Sequence, residues 1–190
     1  MEIKIKRSRF IGTIDYTPTL ENASGFVSEI SKEFHDATHN CYAYKVGFGH
    51  ELVFRSSDNG EPSGTAGRSI LEALDKYDLI DTTIVVTRYY GGIKLGTGGL
   101  SRAYRDAALA VIECAGIMSR YITKRLKFVF EHQFTNAVLR TLSSDVCSIV
   151  ESQFTDVGTV ICDIRELSVD QIRQTLISAT NARIEIQELA

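Results

Sequence analysis

The chain has 190 residues, of which 44% are hydrophobic and 24% charged, and a net charge of −3. That is the make-up of a soluble globular protein of one large or two small domains. The slightly acidic balance excludes a general attraction to nucleic acid or anionic membrane, so any such binding must come from a local patch.

Arg9 to Tyr16 alternates, with Phe10, Gly12, Ile14 and Tyr16 on one side, and predicts a half-buried strand that Pro18 ends. Leu20, Ala23, Val27, Ile30 and Phe34 form a helical stripe behind Thr19, a candidate N-cap. Cys41 to Phe48 predicts a strand, Gly47 to His50 a turn, and Glu51 to Arg55 the returning strand of a hairpin. Ser56 to Arg68, SSDNGEPSGTAGR, has loop composition. A helix begins near Ala66, with Ile70, Leu71 and Leu74 apolar. Ile84-Val85-Val86-Thr87 then predicts a buried strand. After Gly91-Gly92 and Gly98-Gly99 a helix follows, its stripe made by Leu100, Ala103, Tyr104, Ala107, Ala108 and Val111.

The pattern changes between Gly116 and Tyr121. Ile122 to Phe130 alternates, Phe134, Val138 and Leu142 make a helical stripe, and Val146 to Phe154 and Val157 to Ile164 predict strands. Ser168 and Gln171 have capping-box spacing before Val169, Ile172 and Leu176, and Arg183 to Leu189 alternates again. The order β-α-β-β-α-β is that of a ferredoxin-like unit. The expected organisation is therefore α+β, with domains at residues 1–118 and 119–190. No apolar run reaches the roughly 18–20 residues of a membrane span. The basic start MEIKIKRSRFIG lacks the apolar region of a signal peptide. Four scattered cysteines without a C-x-x-C pair predict buried thiols in a reduced, cytoplasmic protein.

The strand-to-helix connection from Thr82 to Ala115 carries the chemistry. Arg88, Lys94, Arg102 and Arg105 lie in or beside its loop, and no acid intervenes between Asp81 and Asp106. Free amides and the positive end of a helix attract anions. Gly91, Gly92, Gly96, Gly98 and Gly99 match neither a Rossmann fingerprint nor a P-loop. They are read either as permitting a tight turn or as a phosphate cradle. The four cations suit RNA phosphates, although Arg102 and Asp106 are spaced to pair along the helix. Tyr89 and Tyr90 offer stacking faces or rim packing, whereas Tyr104 falls on the apolar stripe and is read as core. Should both helix starts lie on one side of the sheet, the 56–68 loop would add groove residues: Asp58, Glu61, Ser63, Thr65 and Arg68, with His39 nearby. Asp58 and Glu61 are read first as a cap or as ion-pair partners of Arg68 or Arg88, and second as acid, base or metal ligands. His39 and Cys41 have H-x-C spacing with no second pair, so no metal site is expected, and a buried thiol is preferred over a nucleophile. Arg120, Lys124, Arg125 and Lys127 form a small basic cluster, read as a solvated edge or as an extension of the phosphate surface.

His39-Asn40-Cys41, SDNGEPSGTAGRSILEAL and VVTRYYGGIKLGTGGLSRAYRDAA, in that order, resemble the Impact/YigZ family. The resemblance implies an Impact domain similar to domain 2 of ribosomal protein S5 over residues 1–118. It implies a second domain similar to the C-terminal domain of elongation factor G. Eukaryotic members regulate translation by interfering with activation of a kinase, partly through an extra N-terminal domain that this sequence does not show. The expected function is a non-catalytic, translation-associated regulator that binds RNA phosphate or a ribosome-associated partner, with no cofactor and no membrane. The alternative is a nucleotide- or phosphate-binding enzyme, resembling small-molecule kinases, that takes a small anionic ligand in the same groove.

Overall fold

Alternating strands and amphipathic helices must bury their apolar sides against one another, and here they do so around two separate cores. The computed structural model describes residues 1–189, and the chain divides into two units, Met1–Ile117 and Met118–Ala190. Two antiparallel sheets and five helices make it an α+β protein among the described residues.

The first unit runs β1 (Glu2–Ile5), β2 (Ser8–Tyr16), α1 (Leu20–Glu33), β3 (His39–Val46), β4 (Val53–Ser57), α2 (Gly67–Lys76), β5 (Thr82–Tyr89) and α3 (Thr97–Ala115). Its sheet has the order β1-β2-β5-β3-β4, with every pairing antiparallel. β1 is an addition to the sequence reading: its four residues are half charged and lie at the sheet edge, where charge suits an unpaired ladder. Thr19 caps α1 as expected, its Oγ1 accepting the N–H of Asn22 at 3.1 Å.

Strand parity assigns the faces. Phe10, Cys41, Ala43, Ile84 and Val86 point to the side covered by α2 and α3, while Tyr44 and Val46 meet Ala23 of α1 on the other. Tyr104 is fully buried in α3. It meets Phe10 edge-on at 5.2 Å between ring centroids, a contact worth about 0.5–1.5 kcal/mol beyond area burial. α2 and α3 thus start on the same face of the sheet.

The second unit runs β6 (Thr123–Phe130), α4 (Thr135–Leu142), β7 (Cys147–Phe154), β8 (Gly158–Arg165), α5 (Val169–Ala179) and β9 (Ile184–Leu189), with sheet order β7-β8-β6-β9. Leu126, Phe128, Phe130, Val160, Cys162 and Ile164 meet Val138 and Leu142 of α4 and Ile172 and Leu176 of α5. The capping box expected at Ser168 does not form. A 3-10 turn, Glu166–Ser168, leads into α5 and leaves Ser168 helical (φ −103, ψ −4) without a side-chain cap bond, whereas an N-cap needs extended backbone.

Candidate functional site

The 56–68 loop is built on Asp58. Its carboxylate accepts the N–H groups of Gly64 (2.7 Å), Ala66 (2.9 Å) and Gly67 (2.9 Å). Burial opposes the charge on Asp58, but those three donors outweigh it and hold the carboxyl below its ordinary value. Asp58 therefore folds the loop back on itself and satisfies orphan amides at the start of α2. Thr65 is buried and donates to Pro62 O at 2.6 Å. Ser63 is exposed, and Arg68 pairs along the helix with Glu72 at 3.2 Å.

Glu61 lies deeper. In the ladder β5 places Arg88 directly opposite Phe10 of β2 and His39 of β3, so all three side chains share the α2/α3 face. Arg88 Nη1 donates to Glu61 Oε1 at 2.5 Å, and Tyr104 Oη donates to the same oxygen at 2.8 Å. Arg88 Nη2 donates to Ser8 Oγ at 3.3 Å. Arg88 is only 4% exposed, and its Nε is buried without a partner. Burial of Arg88 against Glu61 removes it from the set of cations offered to a ligand. His39, on β3, meets the 56–68 loop at two points. Its Nδ1 meets Asn59 O at 2.8 Å, which requires the proton on Nδ1 because a carbonyl only accepts, and its Nε2 lies 3.9 Å from Glu61.

Cys41 is no nucleophile in this arrangement. Its Sγ donates to Asp58 O at 2.9 Å, and burial pushes the thiol up to about 12, so the thiolate is absent near neutrality. Burial likewise raises the Tyr104 hydroxyl well above its ordinary value. Among the described residues no group of three or more His, Cys, Asp or Glu side chains is placed to hold a metal ion.

The start of α3 differs from that of α2. Its N-cap is Gly96, at φ +72 with no side-chain cap bond, so among the described residues no side chain accepts a hydrogen bond from the amides of Thr97, Gly98 and Gly99. Lys94, Arg102 and Arg105 are exposed and have no ion-pair partner among the described residues. Arg102 and Asp106, though spaced to pair along the helix, do not pair. The Arg102 guanidinium instead folds back over the first turn, 3.8 Å from where a Cβ on Gly98 would stand. Of the loop glycines, Gly91 serves packing: a Cβ there would lie 2.1 Å from the Arg7 carbonyl. Gly92 (φ +81) faces open space, and Gly99 lies within the first turn.

Several contributors are not among the site residues expected from the sequence. Ser8 also accepts the N–H of Gly91 at 3.2 Å. Asn59, at φ +44, accepts the N–H of Asn40 at 2.8 Å through its side chain, and Thr87 donates to Asn40 Oδ1 at 2.7 Å. Only the D-N-G turn signal in the 56–68 loop hinted at Asn59. In the second unit Lys124 pairs with Glu188 and Arg125 with Asp163, so two of the four cations of the basic cluster are neutralised locally.

Residues 6–112 match the model of the Impact N-terminal domain. The chain belongs to the Impact family. The matched span of this Impact-family protein contains every candidate residue of the first unit named above. Over its length the protein is 33% identical to IMPACT family member YvyE of Bacillus subtilis, covering 98% of this chain and 86% of the relative. Over 66 residues, 35% of this chain and 21% of the relative, it is 35% identical to Protein IMPACT of Xenopus laevis. The crystal structure of a hypothetical protein superposes with a TM-score of 0.62 at 28% identity, covering 100% of this chain and 93% of that one.

Proposed function

We propose that this Impact-family protein is a non-catalytic, translation-associated factor of the cytoplasm that binds RNA phosphate at the open start of α3. The observation that carries the reading is a contrast between two helices on one sheet face. The amides of α2 are taken by Asp58, whereas the first turn of α3 has no side-chain acceptor among the described residues and lies beside the Arg102 guanidinium. Amides, helix dipole and free cations of one sign favour an anion there. The enzyme alternative is weaker. The carboxylates it would use for Mg²⁺ are engaged, Asp58 with three amides and Glu61 with Arg88 and Tyr104.

We also infer the finer folds. The order β6-α4-β7-β8-α5-β9 with sheet order β7-β8-β6-β9 supports a ferredoxin-like second unit, similar to the C-terminal domain of elongation factor G. By the family resemblance the first unit corresponds to domain 2 of ribosomal protein S5. Both inferred folds support the translation-associated reading.

Filter binding with single-stranded RNA at two salt concentrations tests the function. Three phosphate contacts, by Lys94, Arg102 and Arg105, give a log–log salt slope of about −2, or roughly a 16-fold loss between 50 and 200 mM salt. Lys94→Ala with Arg102→Ala should weaken binding on any RNA sequence. Affinity that ignores salt, or no affinity, refutes the reading. A nucleotide-dependent rise in melting temperature with Mg²⁺ would turn it toward the enzyme.

A further inference from the structure

Tyr90 has a setting that phosphate binding alone leaves unused. It follows β5 immediately, and its backbone is pinned: its own N–H donates to Thr38 Oγ1 at 3.0 Å, and the next N–H, of Gly91, donates to Ser8 Oγ at 3.2 Å. The Arg88 guanidinium lies 5.2 Å from the centroid of the Tyr90 ring. That guanidinium is itself fixed, 5.3 Å from the Phe10 ring and bonded to Glu61 and Ser8. A stack of Phe10, Arg88 and Tyr90 thus rises out of the core, and its outermost ring remains 44% exposed. An aromatic ring on a rigid support, with a cation behind it, is well suited to stack a nucleobase.

The β1–β2 turn borders the same loop, since the Arg7 carbonyl lies against Gly91. Both turn residues, Lys6 (φ 45) and Arg7 (φ 69), have left-handed backbone, a conformation usually left to glycine, asparagine or aspartate in such hairpins. Both are exposed cations with no ion-pair partner among the described residues. A turn that places two long basic side chains where small polar ones are favoured presents charge beside the loop that carries Tyr90.

We propose that Tyr90 is a stacking platform for one unpaired base, with Lys6 and Arg7 taking the flanking phosphates, so that the ligand class is single-stranded rather than duplex RNA. This rests on the phosphate-binding reading above and narrows it. A paired base is already stacked on both sides and offers no face to the ring, whereas an unpaired base does.

The test uses the full chain, a 12-nucleotide single strand and the matching RNA duplex. The chain contains no tryptophan, so Tyr90→Trp introduces a sole reporter. Its fluorescence should be quenched by the single strand and not by the duplex. Tyr90→Ala should weaken single-strand binding about tenfold, the loss of one stacked base, with an unchanged salt slope and unchanged duplex binding. Tyr90→Phe should restore it. With these two cations added to Lys94, Arg102 and Arg105 the single-strand slope becomes about −3.5, and Lys6→Ala with Arg7→Ala should instead make it shallower by roughly 1.4. Wild-type affinity in Tyr90→Ala, or an unquenched Tyr90→Trp on a bound single strand, overturns the platform while leaving phosphate binding intact. Absence of binding to both RNAs overturns phosphate binding and the platform with it. The Trp readout decides the matter even should the alanine variant fold poorly.

Discussion

Replacing Glu61 by Gln leaves the shape of the site and removes one charge. Arg88, 4% exposed, then stays buried with no counter-charge, bonded to neutral groups and with its Nε still unpartnered. Breaking a buried pair from one side costs about 3–5 kcal/mol. The substituted amide still offers a carbonyl to Tyr104 and Arg88, which places the expected loss near the lower end, about 3 kcal/mol. For a unit of this size, that lowers the melting temperature by roughly 10–15 °C. Because the chain has two units, a single melting curve would mix them. Amide exchange read by mass spectrometry separates them: peptides from residues 1–117 should lose protection and those from 118–189 should keep it. The double variant Glu61→Gln/Arg88→Met removes both charges and should recover most of that loss, since no unpaired charge is then left buried. A Glu61→Gln cost below about 0.5 kcal/mol, or strictly additive single effects in the cycle, would refute the claim that the two charges hold one another in the core.

Asp58→Asn should destabilise the first unit by about 1–2 kcal/mol, the scale of a lost helix cap. The folded carboxyl lies below its ordinary value of 3.8. Its contribution is therefore fully present above that value and is lost as pH falls through the folded one. Urea midpoints of wild type and variant should accordingly converge only as pH falls below the ordinary carboxyl value of 3.8, and a gap that closes above that value would contradict this. Gly98 lies in the first turn of α3 with room for a Cβ, so Gly98→Ala should raise the melting temperature by a few degrees, from about 0.5–1 kcal/mol. Gly91→Ala, driven into the Arg7 carbonyl, should lower it by an amount near the 1–3 kcal/mol of overpacking. Peptide mapping after iodoacetamide at pH 8 should find exposed Cys114 alkylated and Cys41, whose thiol burial pushes up to about 12, unmodified until the protein unfolds. Rapid alkylation of Cys41 in the native state would show an opening that its bond to Asp58 forbids.

The helices were legible because their stripes are long. Leu100 to Val111 repeats at helical spacing over three turns, and all six stripe residues are buried. Tyr104, placed in the core by that stripe alone, is fully enclosed, although nothing in the spacing announced that its hydroxyl would reach Glu61. β1 escaped because four residues with two charges give too short an alternation. The capping box at Ser168 was misread because the motif specifies side-chain types at a spacing, while the preceding 3-10 turn decides whether the backbone at that position is extended.

Composition and periodicity alone determined that this chain would make two α+β units from buried stripes, and that cations and glycines would gather between β5 and α3. Local pattern suffices there because burial of an apolar face depends on neighbours three, four or two residues away. Which of those cations remained available was decided only by the tertiary structure. Arg88 and Glu61 are 27 residues apart and meet because strand register turns Arg88 inward and Asp58 folds its loop over the sheet. Charge acts through space and through local dielectric, so cations alike in sequence become a buried support in one case and an exposed surface in the others.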